Sequence, residues 1–124
     1  MRVWYMAHPI APDERYTFQQ NMDHVLEMLH FFLVNGVYVI APYHTMCLVL
    51  PDDNPEYRKL GLAVDVEVVQ SIGSVVMVGH KVSSGMKQEE EACNELGARG
   101  LVLDCTTLSR KEILFYIERG DFRV

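Results

Sequence analysis

Four short apolar runs, Arg2–Ala7, Val37–Ile40, Ser74–Val78 and Gly100–Leu103, are separated by segments in which apolar residues return every three or four positions. This alternation is the strongest constraint on the fold. Strands that alternate with helices imply right-handed βαβ crossovers and a mainly parallel sheet, because the connecting helix must cross a face of the sheet before the next strand can pair. The expected architecture is a single small doubly wound α/β domain, flavodoxin- or Rossmann-like, covering residues 1–124 with helices on both faces. At 124 residues one core suffices, and about two-thirds of the unfolded surface can be buried without disulfides or a structural metal.

The helical segments carry their own boundaries. Thr17 reads as an N-cap, followed by Phe18, Met22, Val25, Leu26, Leu29 and Leu33 on one apolar face, and Asn35-Gly36 reads as a left-handed stop. Pro42 to Pro55 reads as a loop, with turn residues concentrated at Pro51-Asp52-Asp53-Asn54-Pro55. Glu56 to Ile72 reads as a helix with Leu60, Ala63/Val64, Val68 and Ile72 inward and Gly73 as its end. Met86–Leu96, stopped by Gly97, and a last helix capped by Ser109 and ending near Arg119 complete the order.

Charge and composition remove whole classes of partner. Eleven Lys+Arg against 17 Asp+Glu leave a net charge of −6, which disfavours a nucleic-acid backbone or an anionic membrane surface. Small molecules and other proteins remain. Met28 to Pro51 contains no formally charged residue and is long enough to span a bilayer, but Asn35-Gly36, Pro42, His30 and His44 interrupt it. No apolar export segment is expected, and three cysteines without a CxxC pair point to a reducing, cytoplasmic setting.

In a doubly wound sheet the binding crevice lies beyond the carboxyl ends of the strands, where the strand order reverses. The residues expected there are His8-Pro9, Tyr43-His44, His80 to Gly85 and Asp104-Cys105. His8, His44 and His80 together raise the possibility of a three-histidine metal site, since neighbouring strands are only about 4.8 Å apart. The absence of a short-spaced pair such as HxxxH argues against it, and no metal or cofactor is expected.

Ser83-Ser84-Gly85-Met86-Lys87-Gln88-Glu89 is the most informative segment. A Ser/Gly turn that opens a helix presents free backbone N–H groups and the positive end of the helix dipole to a phosphate, a carboxylate or a sugar hydroxyl. Ordinary helix chemistry, with Ser84 as N-cap and Glu90 and Glu91 as a solvated acidic face, accounts for part of it. Glu89 differs, because helical spacing puts it on one stripe with Cys93 and Leu96, facing the sheet. A carboxylate there is a candidate nucleophile or general base. Asp65 interrupts the apolar stripe of the preceding helix and is read either as a site residue or as a surface acid paired with a neighbouring Lys or Arg. Tyr5, near the end of the first strand, is either core or a hydroxyl directed into the crevice.

These elements resemble the nucleoside 2-deoxyribosyltransferase-like superfamily. The resemblance rests on Val3-Trp4-Tyr5-Met6-Ala7-His8-Pro9-Ile10, on the helix with Asn21 running to Gly36 and then Val39-Ile40-Ala41-Pro42, on Asp65, and on Ser83-x-Gly85-Met86-x-x-Glu89; it covers roughly Met1 to Leu103. It implies cleavage of the N-glycosidic bond of a (deoxy)nucleoside or its 5'-monophosphate, by hydrolysis or by transfer to a second base, with Glu89 as nucleophile, Tyr5 orienting it and Asp65 contacting the sugar or assisting proton transfer. It further implies that Ser83, Ser84, Gly85 and Met86 hold the 5' end of the substrate, with His8, Pro9, Arg15 and His44 as further contacts, and that the chain forms a homo-oligomer. Phe115, Tyr116 and Met46–Leu50 are the candidate interface surfaces. The chain departs from better-characterised members at His8, where they carry Gly, and near Ala11, where they often carry a basic residue. Any 5'-phosphate role then falls to Arg15 or His8. A non-catalytic nucleotide-binding module and a metal-dependent hydrolase using His8, His44 and His80 are the rival expectations.

Overall fold

The computed structural model describes residues 2–51 and 53–124. Its elements are β1 (Val3–Ala7), α1 (Phe18–Val34), β2 (Tyr38–Ile40), α2 (Pro42–Val49), α3 (Pro55–Ile72), β3 (Ser74–Met77), α4 (Ser84–Asn94), β4 (Leu101–Asp104) and α5 (Arg110–Glu118), with short 3-10 turns at Gly97–Arg99 and Asp121–Arg123. The four strands form one all-parallel sheet in the order β2-β1-β3-β4. Met1 and Asp52, the latter part of the expected turn before α3, lie outside the described residues.

The strand order dictates the layers. From β1 the chain crosses to β2 on one side, and from β3 it crosses to β4 on the other; right-handed crossovers in opposite directions place α1 and α4 on opposite faces. α3 packs with α4, while α5 lies with α1, where the Arg110 guanidinium sits over the Phe31 ring and Nη2 reaches Glu27 at 3.3 Å. Because successive side chains in β1 point to opposite faces, Trp4 enters the α1/α5 layer and Tyr5 the α3/α4 layer. Both are fully buried.

The end signals are satisfied where they were expected. Thr17 and Ser109 cap α1 and α5, each accepting from the backbone N–H three residues on, and Gly36 and Gly73 end α1 and α3 with φ of 81° and 74°. Three expectations need correction. Residues 42–49 form helix α2 rather than a loop; its N-cap, Ala41, makes no side-chain hydrogen bond, so no polar start signal marks it. Pro42 at its first position tolerates the helix, and the Tyr43 hydroxyl anchors it by donating to the Met6 carbonyl at 2.6 Å. Second, the inward face of α3 runs through Asp65 and Val69, leaving Leu60 and Val64 exposed. The helix is apolar on nearly every side, so periodicity alone does not select a face. Third, α1 buries Met22, Val25 and Phe32 together with Asn21, while Leu26 and Leu33 are half exposed.

The last residues close the α1/α5 layer. Phe122 is buried between Trp4 and Phe32, with ring centroids 5.5 and 5.6 Å away, and Trp4 Nε1–H donates to its carbonyl at 2.9 Å. Gly100 marks a close approach on the other side: a Cβ there would lie 2.2 Å from the Cys93 carbonyl oxygen. Phe122→Ala keeps the Trp4 hydrogen bond, which goes to the main chain, but opens a cavity between two large rings. A loss of roughly 3 kcal/mol is expected, read as a drop of roughly 10 °C in the thermal midpoint; a midpoint within error of the parent would show that the tail adds no core.

Candidate functional site

The carboxyl ends of β1 and β3 open onto a pocket with four walls. The loop after β1 contributes His8, Ile10 and Ala11; α2 and its C-cap contribute Tyr43, Met46, Cys47 and Leu50; α3 contributes Tyr57, Arg58, Gly61, Leu62 and Asp65; the start of α4 contributes Ser83 to Met86 and Glu89. The location follows from topology, since β1 and β3 are the strands between which the chain changes direction. Most of the wall is apolar, and the polar groups gather at the base.

Local sequence sets each part. Ser83, rather than Ser84, is the N-cap of α4: its Oγ accepts from the Met86 N–H at 3.3 Å, and the Met86 thioether lies 3.3 Å from the Ser83 N–H. Gly85 lies against α3, where a Cβ would meet Leu62 at an ordinary 3.7 Å. Glu89 lies one turn on, buried on the stripe of Met86, Ala92 and Cys93. Asp65 faces it from α3, also buried. The loop after β1 is tied down by Asn21, whose amide donates to the carbonyls of Ile10 and Ala11, and by Asp13, which accepts from Lys81 Nζ at 2.9 Å and meets His80 Nε2 at 2.7 Å. Those contacts hold the Asp13 carboxyl well below the usual carboxylate range.

The electrostatics of the base follow from burial without a counter-cation. Burial pushes Glu89 up to about 8, partly offset by the nearby Tyr5 hydroxyl and reinforced by the charge of Asp65. Burial likewise pushes Asp65 up to about 7, again moderated by Tyr5. Tyr5 itself is raised, by burial first and then by the two carboxylates, and remains protonated. Its Oη and Asp65 Oδ1 are buried without a hydrogen bond of normal geometry, so the phenol lies within electrostatic reach of both acids without being fully engaged. Tyr43, tilted against Tyr5 at 5.9 Å, is raised for the same reasons. Ordered water, an ion or a bound polar ligand is the ordinary partner of such atoms.

The structure thus brings together Glu89, Asp65 and Tyr5 at the base, with His8, Ser83, Ser84, Gly85 and Met86 in the wall. Asp65 is an inward acid, not a surface ion-pair partner. Pro9 is buried behind the wall, and Gly79, at φ 108°, exists to admit it: a Cβ there would lie 2.6 Å from Pro9 Cδ. Arg15 and His44 are not among the described lining residues; Arg15 is exposed, its guanidinium 5.2 Å from the Tyr16 ring centre. His80 pairs with Asp13, and among the described residues no three His, Cys, Asp or Glu side chains form a group suited to a metal ion. Of the candidate interface residues, Phe115, Leu48 and Val49 are exposed, whereas Met46 lines the pocket. Tyr43 lines the pocket as expected, whereas sequence reasoning missed Met46, Cys47, Leu50, Tyr57 and Arg58 as wall residues; the 3- and 4-residue spacing of Tyr43, Met46, Cys47 and Leu50 was the available signal.

Fold and site define a doubly wound α/β domain with a buried carboxyl pair at its switch point. Residues 2–101 match the model of a domain of unknown function (DUF7768), and the chain belongs to that family. No curated protein and no solved structure matches it. The matched span contains every pocket residue; α5 and the Phe122 turn follow it. No helix is long and apolar enough to cross a membrane among the described residues.

The buried acid has a consequence for stability. The folded-state pKa of Glu89 lies above its ordinary value of 4.5, so the fold accommodates the protonated acid and is increasingly penalised as pH rises from that value towards about 8. Glu89→Gln, a neutral substitute of the same shape, is expected to raise the thermal midpoint by at least about 4 °C at pH 8 and to leave it unchanged at pH 4. Equal midpoints at both pH values would mean that Glu89 is not buried as described.

Proposed function

We propose that the protein cleaves the N-glycosidic bond of a (deoxy)nucleoside or its 5'-monophosphate, as a hydrolase or a deoxyribosyltransferase, with Glu89 as nucleophile. The observation that carries this reading is the convergence of Glu89, Asp65 and Tyr5 at the base of a largely apolar pocket beside the start of α4. The resemblance of Ser83-x-Gly85-Met86-x-x-Glu89 and its companions to the nucleoside 2-deoxyribosyltransferase-like superfamily supports the same chemistry.

In this mechanism a Glu89 carboxylate oxygen attacks the anomeric carbon. The C–N bond breaks, its electron pair passes to the base, and the base takes a proton from the Asp65 carboxyl. Water or a second base then attacks the glycosyl ester, loses a proton to Asp65, and releases Glu89 as the carboxylate. The oxocarbenium-like transition state is stabilised by the adjacent carboxylate, as in retaining glycosidases. Tyr5 restrains the nucleophile from beneath, and the apolar walls formed by Ile10, Met46, Leu50 and Leu62 suit a flat heterocycle.

The mechanism needs Glu89 ionised and Asp65 protonated. The two acids titrate as a coupled pair, and because Glu89 is the weaker acid the productive form is the minor arrangement of the proton they share; kcat/KM is expected to peak between about 7 and about 8, where the pair holds one proton, falling at lower pH as the pair gains a second and at higher pH as it loses the first. The test is release of free base from a panel of nucleosides and mononucleotides, followed chromatographically across pH. Glu89→Gln is expected to reduce the rate by at least about 10³-fold. The raised pKa of Glu89 also favours a second reading, a non-catalytic nucleotide-binding module, because a protonated acid is no nucleophile. Ligand-dependent thermal stabilisation without base release at any pH would establish that reading and end the catalytic one.

A further inference from the structure

His8 stands in the pocket wall as an acceptor. Its Nδ1 lies 2.6 Å from the carbonyl oxygen of Pro9. A carbonyl only accepts, so Nδ1 carries the proton and, in the neutral ring, Nε2 presents a bare lone pair. The ring is only 6% exposed, and burial lowers its pKa to about 4, with His24 and His80 adding like charge when protonated. The carboxylate that faces this cluster, Asp13, is committed to His80 and Lys81. Nε2 has no hydrogen-bond partner among the described residues, and Gly79 lies beside that edge with no side chain, where a Cβ would come within 3.2 Å of it.

The other polar groups of the inner pocket carry no positive charge. Glu89 and Asp65 offer carboxyl groups, and the Tyr43 hydroxyl gives its proton to Met6. Of the cations that an anionic ligand would require, Arg15 lies outside the described lining, and Arg58, the one Lys or Arg within it, sits on the exposed first turns of α3 rather than among the buried groups at the base. The start of α4 retains free N–H groups on Ser84 and Gly85, because the Met86 N–H is capped by Ser83. Those donors serve a neutral hydroxyl oxygen as well as a phosphate.

We propose that His8 is a specificity-determining residue whose unprotonated Nε2 accepts a hydrogen bond from the 5'-hydroxyl of the sugar, so that the pocket takes the uncharged nucleoside in preference to its 5'-monophosphate. The inference rests on the N-glycosidase reading above. The 5'-hydroxyl can receive an N–H bond at its oxygen while its own O–H donates to Nε2. A phosphate dianion can do only the first, and at Nε2 it meets a lone pair unless the buried ring takes up a proton.

The test compares kcat/KM for 2'-deoxynucleosides and the matching 5'-monophosphates on the full chain and on His8→Ala and His8→Gln. The parent is expected to favour the nucleoside by about tenfold or more. His8→Ala should lose about that factor on the nucleoside and little on the monophosphate, and His8→Gln, which keeps an acceptor, should recover part of it. A parent that prefers the monophosphate, or variants that lose both substrates in parallel, would overturn the role of His8 while base release leaves the N-glycosidase reading in place. No base release from either substrate removes that reading itself. An activity-independent measurement decides the chemistry of the ring: 15N NMR of the parent at pH 7 should show a single Nδ1-protonated tautomer, and a doubly protonated ring refutes the proposal whatever the substrate.

Discussion

The pairing of β1 with β3 is the constraint from which the rest of the molecule follows. Tyr5, Met6 and Ala7 align with Val75, Val76 and Met77, and all six are buried. A parallel pair at the centre of a sheet must be covered on both faces, so the two strands read as nearly continuous apolar runs. Because α1 and α4 leave these strands towards opposite faces, the loops that follow β1 and β3 are driven apart, and a crevice opens between them. Tyr5, Asp65 and Glu89 come from three elements distant in sequence. They meet because the pleat turns Tyr5 towards the α3/α4 layer and because both helices pack on that layer.

The two faces are built to different standards. On the α1/α5 face, Trp4, Phe32 and Phe122 form an aromatic cluster in which the one polar atom of Trp4 is satisfied. On the α3/α4 face, two buried carboxyl groups lie near each other with a phenol that engages neither fully. Among the described residues, the buried side-chain atoms without a partner are Tyr5 Oη, Asn21 Oδ1 and Asp65 Oδ1, and two of these three belong to the pocket base. Such groups lower stability, and a fold retains them where something other than stability is served. The aromatic face supplies the packing that makes this tolerable.

The contrast also explains what the sequence could disclose. Strand runs, helix ends and the position of the crevice were legible because each depends on local signals: β-branched runs, Thr17 and Ser109 as caps, Gly36 and Gly73 as stops. Glu89 was legible because a carboxylate conflicted with its apolar stripe. The face of α3 was not, since Leu60, Leu62, Ala63, Val64, Val66 and Val68 leave no polar side to define an inward one. Its orientation is set by tertiary contact with α4, and Asp65 is carried into the pocket as a result. α2 was hidden for a different reason. It has no side-chain cap and is anchored by a long-range hydrogen bond from Tyr43 to Met6, which no local pattern encodes.

Burial that raises the pKa of a carboxyl group also strengthens its attraction for a positive charge, because both effects arise from the low dielectric around it. In the resting pocket this favours the protonated acid. On the mechanism proposed above, positive charge develops at the anomeric carbon as the base departs, a few ångströms from Glu89 and shielded from water by the walls from α2 and α3. The ionised carboxylate is then the favoured form, and its interaction is larger in the transition state than in the ground state, which is the condition for a group to accelerate a reaction and not merely bind its substrate. The neutral His8 fits the same logic. A permanently charged imidazolium in the wall would oppose that developing charge, whereas a ring held neutral by burial, its tautomer fixed by the Pro9 carbonyl, leaves the field of the carboxylates intact.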